Sequence, residues 1–154
     1  MVATPIGNLQ DITLRAITTL QEADLVAAED TRRAKKLFTA CGISSRLTPY
    51  HAHNEHNKTE RLLDSVEEGW GVAVLADAGT PAISDPGFFI TRAALRRGIE
   101  PVVIPVPSAL THAVVAAGLP VDRFLFSGFP PTKKGKRHRF LEDLKEKGMT
   151  AFVF

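Results

Sequence analysis

The sequence is poor in several features that define whole classes of protein. Cys41 is the only cysteine among 154 residues, so no disulfide can form within the chain. No apolar run approaches the roughly 20 residues that a bilayer-spanning helix needs, and the amino terminus lacks the basic, apolar and small-residue succession of a secretory signal. Neither G-x-G-x-x-G nor a Walker P-loop occurs, so binding of nicotinamide, flavin or ATP has no direct support. These absences make the cytoplasm the expected location.

The composition that is present is ordinary for a globular domain, except for one local excess of charge. Hydrophobic residues make up 44% and charged residues 23% of the chain, which excludes disordered and collagen-like classes. Of the 19 basic residues five lie between positions 133 and 139, so 14 remain against 17 acidic residues elsewhere. This basic stretch is either a phosphate-binding surface or a solvated loop and helix start. Its members are Lys133, Lys134, Lys136, Arg137 and Arg139.

The apolar periodicity predicts an α/β fold. It alternates between the helical period of 3.6 and short continuous apolar runs, which is typical of a mostly parallel sheet flanked by helices on both faces. Predicted strands cover residues 2–4, 24–28, 46–50, 71–76 and 101–104. Predicted helices begin near Asp11, Thr31, Glu55, Phe88 and Ser108.

The last part of the chain is predicted to open a second α/β domain. It contains a strand at 124–126, a helix that ends near Lys147 and an apolar run at 151–154. We therefore divide the chain into an amino-terminal α/β domain, residues 1–118, and a linker with the start of a carboxyl-terminal domain, residues 119–154. We expect this second domain to be cut off, with half of a ligand cleft missing.

Three loops that follow predicted strands are rich in Gly, Pro and small hydroxyl residues. They are TPIGN, DAGTPAISDPG and PVPSA. Ligands bind at the carboxyl ends of the strands in an open parallel sheet, glycine lets the backbone approach a ligand, and hydroxyls offer hydrogen bonds. The three loops together favour a site for a small polar molecule, although each one alone is also a plausible tight turn.

Five motifs, ATPIGNLQDITLRA, AAEDTR, HNE, ADAGTPAISDPG and PVPSA, closely resemble the 16S ribosomal RNA cytidine 2′-O-methyltransferase family. This family is a branch of the tetrapyrrole methylase superfamily, and the motifs follow in the same order over nearly the whole chain. The resemblance implies an S-adenosylmethionine-dependent methyltransferase that acts on 16S rRNA, in the decoding region, or on the small ribosomal subunit. It also implies a homodimer, with the cofactor in a cleft between two α/β domains.

The resemblance assigns the cofactor site residue by residue. The implied cofactor-binding residues are Pro5, Gly7, Asp77, Gly79, Thr80, Pro81, Ile83, Ser108 and Ala109. Val106 stands where the family pattern P-G-P-S-A has glycine. We expect its branched side chain to weaken cofactor binding.

A ribose 2′-hydroxyl is a weak acid, so its proton must be removed or polarised as the methyl group arrives. The candidates for the general base, or for positioning the substrate, are Glu29, Asp30, His53 and Glu55. Structural alternatives exist for three of them: Asp30 as a helix cap, Glu29 as an ion-pair partner of Arg32 or Arg33, and His53 as a surface residue.

Two other functions stay open at the level of the sequence. One is methylation of a small molecule of the tetrapyrrole type, which the basic stretch disfavours because an anionic polymer explains it better. The other is a catalytically silent RNA-binding or assembly domain, which Val106 and the missing half of the cleft favour. No metal site is predicted, because His51, His53 and His56 lack a convincing fourth ligand.

Overall fold

The computed structural model describes residues 1–154. The chain divides into two units, Met1–Pro107 and Ser108–Phe154. The boundary predicted after residue 118 falls one helix later than this division, because the helix at Ala109–Ala116 packs against the last strand of the second unit.

The first unit alternates helices with strands. Its helices are α1 (Leu14–Glu22), α2 (Thr31–Cys41), α3 (Glu55–Glu67) and α4 (Phe88–Arg96). Its strands are β1 (Leu25–Ala28), β2 (Arg46–Pro49) and β3 (Val72–Leu75). The strands pair in parallel in the order β2-β1-β3.

Two further segments extend the sheet beyond β3. Val2 forms parallel bridges to Leu75 and to Ile104, so the amino-terminal segment lies between β3 and the segment that contains Ile104. The strands predicted at 2–4 and 101–104 are therefore present only as isolated bridges. At residue 4 the pairing changes direction, because Thr4 forms an antiparallel bridge with Gly79 instead of continuing along β3.

Helices cover both faces of this sheet. Val26, Ala28 and Leu75 pack with α1 and α2 on one face, whereas Ala27 and Val74 pack with α3 and α4 on the other. Successive strand residues thus point to opposite faces, and because both faces are covered β1 and β3 are apolar throughout. The predicted α/β class with a mostly parallel sheet is confirmed.

Local signals explain where the helices begin and end. Helix α2 begins after Asp30, whose carboxylate accepts a hydrogen bond of 2.8 Å from the Arg32 N–H. It ends at Gly42, whose φ of 65° is in the left-handed region that favours glycine. Asp11, near which the first helix was predicted to begin, instead closes a short 3₁₀ turn, and Thr13 caps α1 by accepting from the Ala16 N–H at 3.1 Å. Ile12 is extended, which separates the two turns.

The second unit contains α5 (Ala109–Ala116), β4 (Phe124–Phe126), α6 (Lys134–Glu146) and β5 (Thr150–Phe152). Strands β4 and β5 pair in parallel, and the rings of Phe124 and Phe152 meet edge to face at 5.5 Å. Phe152 is the unit's one buried residue, so this unit has little core of its own. No helix in either unit combines the length and the apolar character needed to cross a membrane.

Candidate functional site

Two of the three predicted ligand loops meet at the carboxyl edge of the first unit's sheet. TPIGN follows the amino-terminal segment, and the loop Asp77–Gly87, which we call the β3 loop, follows β3. Thr4 and Gly79 exchange two backbone hydrogen bonds of 2.9 Å each, which hold the loops together. The third loop, PVPSA, spans the boundary between the two units.

The β3 loop is tightly turned and conformationally strained. Gly79, Ala82, Ser84 and Gly87 all have positive φ, with values of 82°, 71°, 63° and 137°. Non-glycine residues in this region cost on the order of 1–3 kcal/mol each, and such residues concentrate at ligand sites. A Cβ at Gly79 would meet only the Ile6 side chain at 3.6 Å, an ordinary contact. The backbone angle therefore favours glycine here, and the space beside it is largely open to a ligand.

Asp77 joins the β3 loop to the first turn of α2. One carboxylate oxygen accepts a hydrogen bond from the Asp30 N–H at 2.9 Å, and the other pairs with the Arg33 guanidinium at 3.2 Å. Both oxygens are thus occupied within the protein. This arrangement fixes the end of β1 against the start of the β3 loop.

Asp30 is likewise engaged. Its carboxylate caps α2 and pairs with the Arg32 guanidinium at 2.9 Å. Side-chain and backbone hydrogen bonds from Arg32 lower the pKa of Asp30 to about 2. Asp30 therefore caps a helix, which was the structural alternative to a catalytic role for this residue.

Glu29 differs from its neighbour. Its Oε2 is buried without a hydrogen-bond partner, and both nearby arginines pair with other carboxylates. Burial first, and then the charges of Asp77 and Asp85, raise the pKa of Glu29, while the Asp77 backbone N–H and Arg33 act in the opposite direction. The alternative in which Glu29 pairs with Arg32 or Arg33 is not observed.

Asp85 is a residue that the sequence reasoning missed. Burial, and then the charge of Asp77, raise the pKa of the Asp85 carboxyl. Its proximity to Glu29 places three carboxylates, those of Glu29, Asp77 and Asp85, in one electrostatic group with Arg33. The available signal was its place in the β3 loop, where it is the only acidic residue besides Asp77.

The candidates that follow β2 form a separate group. Glu55, the first residue of α3, is buried, and its backbone carbonyl accepts a 2.7 Å hydrogen bond from Thr59 Oγ1. His53 is exposed, with its ring edge-on to that of His51 at 5.9 Å. No hydrogen bond or ion pair joins either candidate to Glu29. No group of three or more His, Cys, Asp or Glu residues is arranged to hold a metal ion.

The remaining predicted residues lie in the second unit. Ser108 precedes α5, where its carbonyl accepts from the His112 N–H at 3.0 Å, and Ala109 is the first residue of that helix. The five basic residues surround the start of α6: Lys133 is the cap position, and the other four lie within Lys134–Arg139. All five are exposed, and none forms an ion pair within 4.0 Å.

The loops at the carboxyl edge of the parallel sheet can be compared with known protein families. The family described as Tetrapyrrole (Corrin/Porphyrin) Methylases matches residues 1–154. The chain belongs to this family. In this member of the family, two of the loops that carried the sequence resemblance, TPIGN and the β3 loop, meet at the sheet edge.

Curated relatives place the chain near one branch of the family. The Ribosomal RNA small subunit methyltransferase I of Halalkalibacterium halodurans is 46% identical over 154 residues, which are 100% of this chain and 53% of that protein. The protein of the same name from Thermotoga maritima is 44% identical over 100% of this chain and 69% of its own length. The predicted resemblance to this branch is confirmed. The chain spans about half the length of most curated relatives it matches.

A solved structure supports the fold. A crystal structure of diphthine synthase superposes with a TM-score of 0.76, covering 100% of this chain and 64% of the other at 18% identity. At this identity the likeness concerns the fold alone.

Proposed function

We propose that this chain is part of an S-adenosylmethionine-dependent methyltransferase that methylates the ribose 2′-hydroxyl of a cytidine in 16S rRNA, in the cytoplasm. Family membership and the names of the curated relatives support methyl transfer to ribosomal RNA. The observation that carries the proposal is the buried, unpartnered carboxylate oxygen of Glu29 beside the strained β3 loop. A polar atom without a partner is costly to bury, so its retention at a loop-lined edge favours a catalytic role.

The β3 loop and TPIGN are proposed to hold the cofactor, which supplies an electrophilic methyl group when it is bound. Gly79 offers backbone with open space beside it, and Ile83 offers an exposed apolar side chain. The other residues proposed to contribute are Pro5, Gly7, Thr80, Pro81, Ser108 and Ala109. We assign Asp77 a positioning role instead, because both of its carboxylate oxygens are already occupied.

Glu29 is proposed to accept the proton of the 2′-hydroxyl. A general base works best when its pKa lies near the operating pH, and burial raises the pKa of Glu29, whereas the pKa of Asp30 is lowered to about 2. Asp30 is therefore the weaker base. His53 and Glu55 are proposed to position the substrate.

The basic residues of α6 are proposed to contact phosphates. Four of them crowd into the first six residues of the helix, and no acidic residue lies in its first turn. The amino end of a helix carries partial positive charge, so these side chains repel both one another and the helix dipole. An anionic partner relieves this repulsion, and RNA supplies many closely spaced anions.

Methylation by a chimeric protein tests the reaction. This chain replaces the matching segment of the Halalkalibacterium relative, and the chimera is incubated with small ribosomal subunits and isotopically labelled S-adenosylmethionine. Mass spectrometry of nuclease digests is expected to find the label on a cytidine 2′-oxygen. Label on a base, or none where the parental relative is active, contradicts the proposal. Label on a tetrapyrrole offered in parallel favours the small-molecule alternative.

A salt titration tests whether α6 binds RNA. Replacing Lys133, Lys134, Lys136, Arg137 and Arg139 by Gln is expected to lower the slope of log affinity against log salt by about 0.7 to 0.9 for each phosphate that is no longer neutralised. An unchanged slope makes the basic stretch a solvated surface. Homodimerisation stays a prediction, which sedimentation velocity checks.

A further inference from the structure

We propose that the outward face of α4 is a second RNA-binding surface, which stacks a base on Phe88 and pairs phosphates with Arg92 and Arg96. We call this face the α4 groove; it is lined by Phe88, Thr91, Arg92, Leu95 and Arg96. The inference rests on the proposed RNA substrate, but it does not depend on methyl transfer.

The five residues that line the α4 groove lie on one side of the helix. Their spacings of three, four, seven and eight residues from Phe88 place them on the same side of an α-helix. Ile90 and Ala94 occupy the opposite side and are buried against the sheet. The groove has a volume of about 410 Å³, and it is open to solvent along the exposed side chains.

Phe88 presents an aromatic face to water. It is 56% exposed, and Leu95, two turns further along the groove, is 59% exposed. The neighbouring Phe89 is anchored, since its ring lies 4.2 Å from that of His56 and 5.6 Å from that of Phe88. Phe88 is therefore supported from one side and free on the other. Exposed aromatic rings of this kind stack with the bases of single-stranded nucleic acid.

The charges beside Phe88 select an anionic partner. Arg92 and Arg96 are exposed and form no ion pair. The acidic residues of α3 that face α4 do not neutralise them, because all of these residues pair with the adjacent Arg97. They are Glu60, Asp64 and Glu67. A ring flanked by two unneutralised guanidinium groups is the combination that single-stranded RNA binds.

The α4 groove begins close to the proposed site of methyl transfer. Phe88 directly follows Gly87, the last residue of the β3 loop, so the groove begins at the proposed reaction edge. Arg96 is eight residues further along α4, about 12 Å at the rise of an α-helix. An RNA strand that presents a ribose to Glu29 can thus continue along α4.

Binding of a short fluorescein-labelled oligocytidine RNA to the 154-residue chain tests the proposal. Phe88→Leu, which keeps an apolar side chain without the ring, is expected to weaken binding on the order of tenfold, the scale of one stacked base. Phe88→Tyr keeps the ring and is expected to bind like the parent. Arg92→Gln with Arg96→Gln is expected to lower the salt slope by about 1.4, or about 0.7 for each phosphate neutralised on a single strand.

A matched control replaces two other exposed arginines without ion pairs, Arg15 and Arg61, by Gln. The control removes the same net charge and is expected to leave the slope nearer that of the parent. Equal slopes for the two double variants overturn the proposal, as does equal affinity for Phe88→Leu and Phe88→Tyr. Reduced self-association of the α4 variants in sedimentation, with RNA binding unchanged, makes the groove an interface between copies and also overturns it. Loss of methylation in the chimera with α4 binding intact overturns only the proposed reaction.

Discussion

The two edges of the first unit's sheet differ in where space and unsatisfied chemistry lie. The amino edge holds a cavity of about 520 Å³, lined largely by apolar residues such as Val66, Trp70 and Ile99. Two polar groups at this edge have partners: Asp24 accepts from the Gly71 N–H at 2.8 Å, and the Met1 amino group donates to the Val102 carbonyl at 2.8 Å.

The carboxyl edge shows the opposite combination. It carries the unpartnered oxygen of Glu29, a group of like charges and a loop with four positive φ values. In an open parallel sheet this is also the edge where ligands bind. At these two edges the larger volume reflects incomplete packing, whereas the buried polar group without a partner indicates chemistry. Substitutions at each edge test this difference.

The largest expected effect is at the carboxyl edge. Glu29→Gln removes the proposed base while keeping size and polarity, so the chimera's methylation rate is expected to fall by about 10²–10⁴, the usual contribution of a general base. Single-turnover kinetics measure the loss. A rate within a few-fold of the parent would make another residue the base, and Glu55→Gln is the matched comparison.

Glu29→Gln is also expected to change the free energy of unfolding. Because the pKa of Glu29 is higher in the folded protein than in the unfolded chain, the folded protein binds this proton more tightly. Ionising Glu29 therefore costs folding free energy, and the cost appears as pH rises from the unfolded pKa through the folded pKa. Urea unfolding is expected to find Glu29→Gln more stable than the parent at neutral pH, with the advantage disappearing in acid.

At the amino edge the expected effect is on stability alone. Leu63 is buried in α3 and lines the cavity, so Leu63→Ala is expected to lower the free energy of unfolding by about 3 kcal/mol. Affinity for S-adenosylmethionine, measured by calorimetry in the chimera under folding conditions, is expected to stay the same. A loss of affinity would mean that the ligand binds in the cavity at the amino edge and not at the carboxyl edge.

A smaller gain is expected where the sequence departs from the family pattern. Val106 follows Ile104 at the carboxyl edge and is partly buried. If its methyl groups crowd the ligand, Val106→Gly in the chimera strengthens cofactor binding by about 1–3 kcal/mol, and Val106→Ala gives an intermediate affinity. Equal or weaker binding of the Gly variant, with lower stability, means that Val106 packs within the protein instead.

The smallest expected effect is a displacement of a pH profile. Asp85 contributes to the raised pKa of Glu29, so Asp85→Asn is expected to lower the pKa of Glu29. Because the base must be ionised, the acidic limb of kcat/KM for methylation then moves to lower pH. An unchanged acidic limb would mean that Asp85 does not influence the base in the reaction.

Local rules made the helices and the central strands predictable from the sequence. Helix α2 has both a capping Asp30 and a terminal Gly42, and β3 is a continuous apolar run that helices cover on both faces. Residues 2–4 and 101–104 were harder, because the extent of a strand depends on its partners, and Thr4 pairs with Gly79.

The same limit applies to the site. The loops were predictable because glycine and proline mark tight turns. The carboxylate that stays without an ion-pair partner could not be predicted. Its identity depends on which of Glu29, Asp30 and Asp77 pair with Arg32 and Arg33. Side-chain pairing across the fold is absent from the linear order of residues, so neither the engagement of Asp77 nor the influence of Asp85 could be predicted.

The position of Val2 between Leu75 and Ile104 sets the order in which the sheet can be completed during translation. The segment around Val2 completes its pairing only after Ile104 is made, since its second neighbour is at the far end of the first unit. Nascent chains that stop before Ile104 leave Met1–Thr4 with one open edge, and parallel pairings between distant segments form slowly. We expect limited proteolysis of ribosome-bound chains to show protection of the amino terminus only after Ile104 has emerged; earlier protection would mean that pairing with β3 alone suffices.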